Sequence, residues 1–253
     1  MLELVKERLS DPAAVVVIDE TGFVKKGTKS VGVAPQYSGT AGKIDNCQIG
    51  VFLAYAAQKG QILMDREIYL PKGWTDDPER CREAGVPEER EFATKLVLAR
   101  RMLERAMTHE LPFSWVTGDS VYGADYHLRH FLSEHHIPYV LAVAPNNQVR
   151  LGIEDGFEMI RLDDWLKRKK ALRWRRLSAG DGSKGPRYYE WKWWKMKAAV
   201  PEGWQAWILV RRSLSDPSEI VYYRVCAPGT TTLQQAVLVA GQRRTGGGGY
   251  RAC

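Results

Sequence analysis

The run Ala13–Ile18, AAVVVI, is six residues with no polar break. So short an apolar run, with β-branched residues at its heart, reads as a strand covered on both faces. A strand covered on both faces needs material above and below it, which points to a sheet with helices packed on it. The run ends at Asp19-Glu20-Thr21-Gly22 and so delivers a carboxylate to the edge of that sheet. A second strand, Phe113–Thr117, ends in the same way at Gly118-Asp119, 100 residues after Asp19.

The rest of the chain fills in around these two strands. Lys25 to Lys43 is rich in Gly, Ser and Lys and reads as strands joined by turns. Cys47–Ala57 and Gln61–Leu70 are further strands of an antiparallel meander, split at Lys59-Gly60. Pro71–Glu89 reads as a polar loop. Phe92–Ala106 places Phe92, Leu96, Ala99, Leu103 and Ala106 at helical spacing. Asp125–His135 reads as a helix and Tyr139–Val143 as a fifth strand, broken at Pro145-Asn146-Asn147. The order β-β-β-α-β-α-β over the first 145 residues implies an α/β protein with a mixed sheet flanked by helices. From Val149 to Cys226 the texture becomes mainly β. Strands are expected at Tyr188–Met196, Gln205–Val210 and Glu219–Val225, with turns at Gly180-Asp181-Gly182 and Ser215-Asp216-Pro217. A short helical pattern follows Thr230-Thr231-Thr232, and four consecutive glycines then break it. The expected division is a core over 1–148, a β-rich basic insertion over 149–226, and a C-terminal helix with a Gly-rich tail over 227–253.

Charge narrows the partners. The net charge is +7, but Arg161–Arg212 holds fifteen Lys or Arg against five Asp or Glu, so that segment is +10 and the remainder −3. Seven of the nine tryptophans lie in the same segment. Clustered cations neutralise phosphates, and interleaved flat rings can stack on exposed bases. A solvated basic face over a Trp-rich sheet is the plainer alternative. Cys47, Cys81, Cys226 and Cys253 form no CxxC pair, which argues against a zinc knuckle and for free thiols. No long apolar stretch and no secretory h-region is visible, so a cytoplasmic protein is expected. His127 and His130 could share a helix face but have no acidic partner at zinc spacing. GDSVYG, which contains Ser120, lacks the nucleophile-elbow pattern.

Asp19 and Asp119 are the chemistry-bearing pair. Carboxylates at two strand ends can hold Mg²⁺, a hard cation that takes oxygen ligands. Two such ions about 4 Å apart activate a nucleophile and stabilise the leaving oxygen in phosphoryl displacement. Each motif alone is also an ordinary turn. The blocks VVVIDETGFVKKGTKSVGVAPQYSGTAGKIDNCQIGVFLAY, LPKGWTDDPERCREAGVP and WVTGDSVYGADYHLRHFL, however, resemble in order the catalytic blocks of DDE-superfamily transposases of bacterial insertion sequences, the group with a β-rich insertion. The resemblance covers about residues 13–240. It implies a ribonuclease H-like fold, Mg²⁺ or Mn²⁺ as cofactor, and DNA, as transposon ends and target, as partner. It further implies a second protomer and a nucleoid-associated location in a bacterium. Asp19 matches the first catalytic aspartate and Asp119 the second, both as metal ligands. Lys25, Lys26 and Lys43 on Gly-rich turns, with Arg187, Trp191, Trp193 and Trp194 in the insertion, are the expected DNA contacts.

Two departures shape the expectation for activity. The family places a third acid, a Glu in a pattern resembling Arg-Trp-x-x-Glu-Glu, after the insertion. Here residues 241–249 read GQRRTGGGG, and no acidic residue follows Glu219. Few residues precede the first strand, where the family has a DNA-binding region. The chain therefore reads as a transposase core clipped at both ends and impaired in catalysis, or as a non-catalytic DNA-binding remnant that interferes with full-length enzyme. Glu20 should point away from Asp19 by strand alternation, and Glu190 and Glu219 are poorly placed as substitutes. Asp45, near a strand start, could approach the pair.

Overall fold

The computed structural model describes residues 1–39, 41–153, 156–168 and 173–243. The Gly-rich tail beyond Arg243 lies outside the described residues. The chain divides into two compact units, one containing Met1–Asp11 and Ile18–Pro112, the other Pro12–Val17 and Phe113–Arg243.

The first unit opens with a helix, α1 (Leu2–Leu9), whose Leu2 and Val5 are buried. Strand β1 (Val15–Val24) is common to both units, with Val15–Val17 in the second and Ile18 onward in the first. Then come β2 (Ala34–Ser38), β3 (Lys43–Ala57) and β4 (Gly60–Ile68), in the order β2-β3-β1 with β4 also paired to β3. Both hairpins are antiparallel. Thr94 caps α4 (Lys95–Thr108) by accepting from the Val97 N–H at 3.3 Å. Leu98, Ala99, Met102, Leu103 and Ala106 form the buried stripe of α4, the helix expected from its periodicity. The segment read as a loop holds two short helices, α2 (Lys72–Thr75) and α3 (Pro78–Glu83). Asp77 caps α3 and Pro78 takes its first position, where a missing N–H costs nothing.

The second unit contains β5 (Trp115–Gly118), α5 (Ser120–Ala124), α6 (Tyr126–Glu134) and β6 (Tyr139–Val143). A hairpin of β7 (Gln148–Ile153) and β8 (Gly156–Arg161) follows, then α7 (Leu162–Arg168). The unit closes with β9 (Arg175–Gly182), β10 (Gly185–Met196), β11 (Trp204–Arg212), β12 (Ile220–Pro228) and α8 (Leu233–Gln242). Its strand order is β1-β5-β6-β12-β11-β10-β9, with β5 and β6 parallel and the remaining pairs from β6 onward antiparallel. The aromatic β segment therefore joins the sheet at β6 through β12, with Tyr222 opposite Val143 and Cys226 opposite Tyr139. Trp165, Val149, Ile160, Ile208, Val210 and Tyr222 belong to one core cluster of this unit. The protein is α/β, a mixed sheet flanked by helices, as in a ribonuclease H-like fold.

No described helix is long and apolar enough to cross a membrane.

Candidate active site

Asp19 occupies the first unit, on β1 just after the buried run ends. Its Oδ1 accepts the backbone N–H of Glu20 at 2.9 Å, which fixes the carboxylate against its own chain. Glu20, one residue on, faces α4 and pairs with Lys95 at 2.9 Å. Strand alternation thus sends the two neighbouring acids to opposite faces. Asp45 accepts its successor's N–H at 2.8 Å, and its other oxygen lies 3.4 Å from Lys43 Nζ.

Asp119 occupies the second unit, where β5 gives way to α5. Its Oδ1 accepts the N–H groups of Val121 at 2.8 Å and Tyr122 at 3.4 Å. It is an N-cap residue, satisfying amides that a helix start leaves orphaned. Asp125 repeats the device for α6, accepting from Leu128 N–H at 2.6 Å. Between the two caps, Gly123 lies so close to β6 that a Cβ would fall 1.8 Å from the Ala142 carbonyl oxygen. The motif GDSVYGAD is therefore a strand end, two helix caps and one contact point without a side chain. Sequence reasoning found Asp119 and missed Gly123. The glycine shortly after the strand was its only trace.

The donor chemistry suits a hard divalent cation. A carboxylate has roughly four acceptor positions, so an oxygen used for capping leaves capacity for a metal. The fit is partial, because among the described residues no three His, Cys, Asp or Glu side chains gather into a metal-binding group. His127 and His130 are exposed on α6. His130 stacks on Tyr126 at 5.5 Å between ring centroids and pairs with Glu134 at 3.2 Å.

The basic segment is partly turned inward. Trp191 is 1% exposed, and its Nε1 donates to the Leu177 carbonyl at 3.3 Å. Trp193 stacks on Trp207 at 4.6 Å, and Trp194 meets Trp165 edge-on at 6.0 Å. Arg187 donates to the carbonyl oxygens of Ala179 at 2.9 Å and Gly241 at 2.8 Å, so it fastens the end of α8 to β9. Lys192 and Arg211 are buried, and burial pulls the Lys192 ammonium below its ordinary range. Arg211 pairs with Glu219 at 2.9 Å and Arg212 with Glu190 at 2.5 Å. The two acids poorly placed as substitutes for a third ligand are thus occupied by arginines. Arg175, Arg176, Lys184, Lys195 and Lys197 remain exposed. In the first unit Lys26 and Lys43 are exposed and Lys25 is half-buried.

The sequence model of the DDE superfamily endonucleases matches residues 1–155. The chain belongs to that family. Among curated relatives, the chain is 29% identical over 153 residues to the "Probable transposase for insertion sequence element IS701" of Microchaete diplosiphon. The match takes in 59% of this chain and 37% of the relative, so the chain spans well under half of that protein's length. Among solved structures, the NurA nuclease of Sulfolobus solfataricus is similar over 95% of this chain and 78% of its own, at 9% identity and a TM-score of 0.39. That score is too low to carry a structural relationship.

Proposed function

We propose that the chain carries the phosphodiester-cleaving centre of a bacterial insertion-sequence transposase, with Asp19 and Asp119 as its metal-holding carboxylates. The observation that carries this reading is the family match across 1–155, which contains both aspartates: Asp119 directly follows the end of β5, whereas Asp19, expected at a strand end, lies within β1, which runs on to Val24. Mg²⁺ or Mn²⁺ held there would supply Lewis-acid activation of a nucleophile and stabilisation of the leaving oxygen. The protein's part is positional. The Glu20 amide orients the Asp19 carboxylate, and the α5 cap orients that of Asp119. Exposed Lys26 and Lys43, with Lys25, would take phosphates next to Asp19. Exposed lysines and arginines of β9 and β10 would hold flanking DNA, with Trp193 and Trp194 as half-buried neighbours. Trp191 and Arg187 support that surface from within.

As a 253-residue chain alone, cleavage is expected to be weak. No Asp or Glu follows Glu219, so the third carboxylate of the family pattern has no counterpart in this sequence. With two ligands the geometry needed for in-line displacement is poorly held. The second reading is DNA binding without cleavage, able to interfere with a complete transposase. It is favoured by the same missing acid together with the surviving basic segment. Supercoiled plasmid carrying the element's ends, incubated with Mg²⁺ or Mn²⁺, separates the two. Nicking abolished by both Asp19→Ala and Asp119→Ala supports a working centre. Retention of plasmid without nicking leaves the binding role. Nicking unaffected by either substitution would sink the assignment of the two aspartates.

A further inference from the structure

A cleft of about 590 Å³ opens in the first unit, within the roughly 300–1,000 Å³ typical of small-ligand pockets. Its floor is built from side chains that alternate onto one sheet face: Phe23 of β1, Gly50 and Phe52 of β3, and Arg66 and Ile68 of β4. Gly50 makes this floor possible. A Cβ there would come within 2.7 Å of the Phe52 ring, so the ring lies folded across bare backbone. It meets Phe23 edge-on at 6.3 Å and 73°. Phe23 is 44% exposed and Ile68 36%, so two large apolar groups stand open to solvent at the cleft.

One wall is Val86 and Pro87, in the segment that α2 and α3 begin. That segment is fixed. Trp74 Nε1 donates to the Val33 carbonyl at 2.8 Å, and the Arg80 guanidinium lies 3.8 Å from the Trp74 ring centre. Arg90 completes the wall by donating to Glu67 at 2.8 Å and to the Ile68 carbonyl at 3.0 Å. Among the described residues the only acid in the lining is Glu67. It is also held by Arg105 at 2.8 Å, so the cleft is positive on balance. Arg66 is exposed and enters no ion pair among the described residues.

The position of the cleft selects its occupant. Strand alternation puts Asp19, Thr21 and Phe23 on the same face of β1. Four residues of strand span about 13 Å, or about four base-pair steps of duplex DNA. We propose that the cleft receives an unpaired nucleobase of the DNA strand that Asp19 engages, its ring against Phe52 and Phe23 and the adjoining phosphate on Arg66. This rests on the transposase reading above. A base offers a flat face to the Phe52 ring, an edge to Phe23, whose ring stands at 73° to that of Phe52, and a phosphate on the adjoining sugar for Arg66. Gln48 spends its amide N–H on the Val31 carbonyl at 2.7 Å, which leaves the amide oxygen to accept from a base edge.

The test uses the full chain in EDTA with two duplexes, one blunt and one with a four-nucleotide overhang carrying 2-aminopurine at each position in turn. The wild type should change the 2-aminopurine emission at one overhang position. Phe52→Leu and Arg66→Gln should abolish that change. They should also bind the overhang duplex about tenfold more weakly, the loss expected for one base–aromatic stack, with blunt-duplex affinity unchanged. Arg66 is exposed, so its variant keeps the question open to measurement even if the Phe52 variant folds poorly. A chain that binds both duplexes, with emission indifferent to the two substitutions, overturns the base site and leaves the cleft to an apolar protein segment. A chain that binds neither duplex overturns the transposase reading, and the base site falls with it.

Discussion

Gly123 leaves no room for a methyl group, because the Ala142 carbonyl oxygen stands where one would go. Gly123→Ala should therefore force α5 away from β6 and lower stability by about 1–3 kcal/mol, as overpacking does. Urea unfolding gives the value, and an unchanged midpoint would mean that α5 is free to shift. Cysteine reactivity is a second residue-scale outcome. Burial raises the thiols of Cys47 and Cys226, whereas Cys81 is only half-buried. A raised thiol holds less thiolate at pH 8, and thiolate is the reactive form. Of these three, Cys81 should be alkylated first in the native protein, with the other two following only in denaturant, as peptide mapping by mass spectrometry would show. Some of this was legible in the sequence. Asp19 and Asp119 declared themselves because a carboxylate after an apolar run is a local pattern. The internal contacts of Gly123, and of Arg187 and Trp191, which the sequence offered as DNA contacts, did not, because their partners lie at Ala142, Gly241 and Leu177. Nothing in a single stretch of sequence reveals that an arginine will donate to a carbonyl far along the chain.

At the scale of elements, α8 is pinned at both ends. Thr232 and Gln235 form a reciprocal capping box at its start, and Arg187 holds the Gly241 carbonyl near its end. Thr232→Ala should cost about 1 kcal/mol. That is a fall of about 2–4 °C in melting temperature for a chain of this size, readable by circular dichroism. The strand Tyr139–Val143 was recognisable because all five of its residues are buried, and α4 because its apolar period is 3.6. The helices α2, α3 and α5 were missed for two reasons. Each is six residues or fewer, too short for a period to register, and prolines that look like breakers serve here as helix starts. The β9–β10 turn was expected at Gly180–Gly182. It falls beyond that, where Gly182 pairs with Gly185, because Gly180 at φ +90° stays within the strand.

Over the whole molecule, charge makes the most accessible statement. A +7 chain whose excess lies in one segment should bind duplex DNA with log affinity falling linearly as log salt rises, and with no dependence on EDTA. Gel retardation across a salt series checks this, and metal-dependent, salt-indifferent retention would exclude phosphate contacts as the source. The charge excess was visible in the sequence. Its partial burial was not, because Lys192 and Arg211 alternate inward on strands whose neighbours are set by the sheet. The composition change after Val149 suggested a mainly β insertion. The pairing of β12 with β6 was hidden, since about eighty residues separate Val143 from Tyr222.

That pairing matters during synthesis. β6 is apolar, buried along its whole length, and takes β5 on one side and β12 on the other. A ribosome adding roughly 5–20 residues per second needs about 4–16 s to travel from Val143 to Tyr222. For that interval one edge of β6 stands bare on the nascent chain, able to template pairing with any other strand. Slow translation of this stretch should therefore raise the aggregated fraction, and a holdase that covers Tyr139–Val143 should lower it.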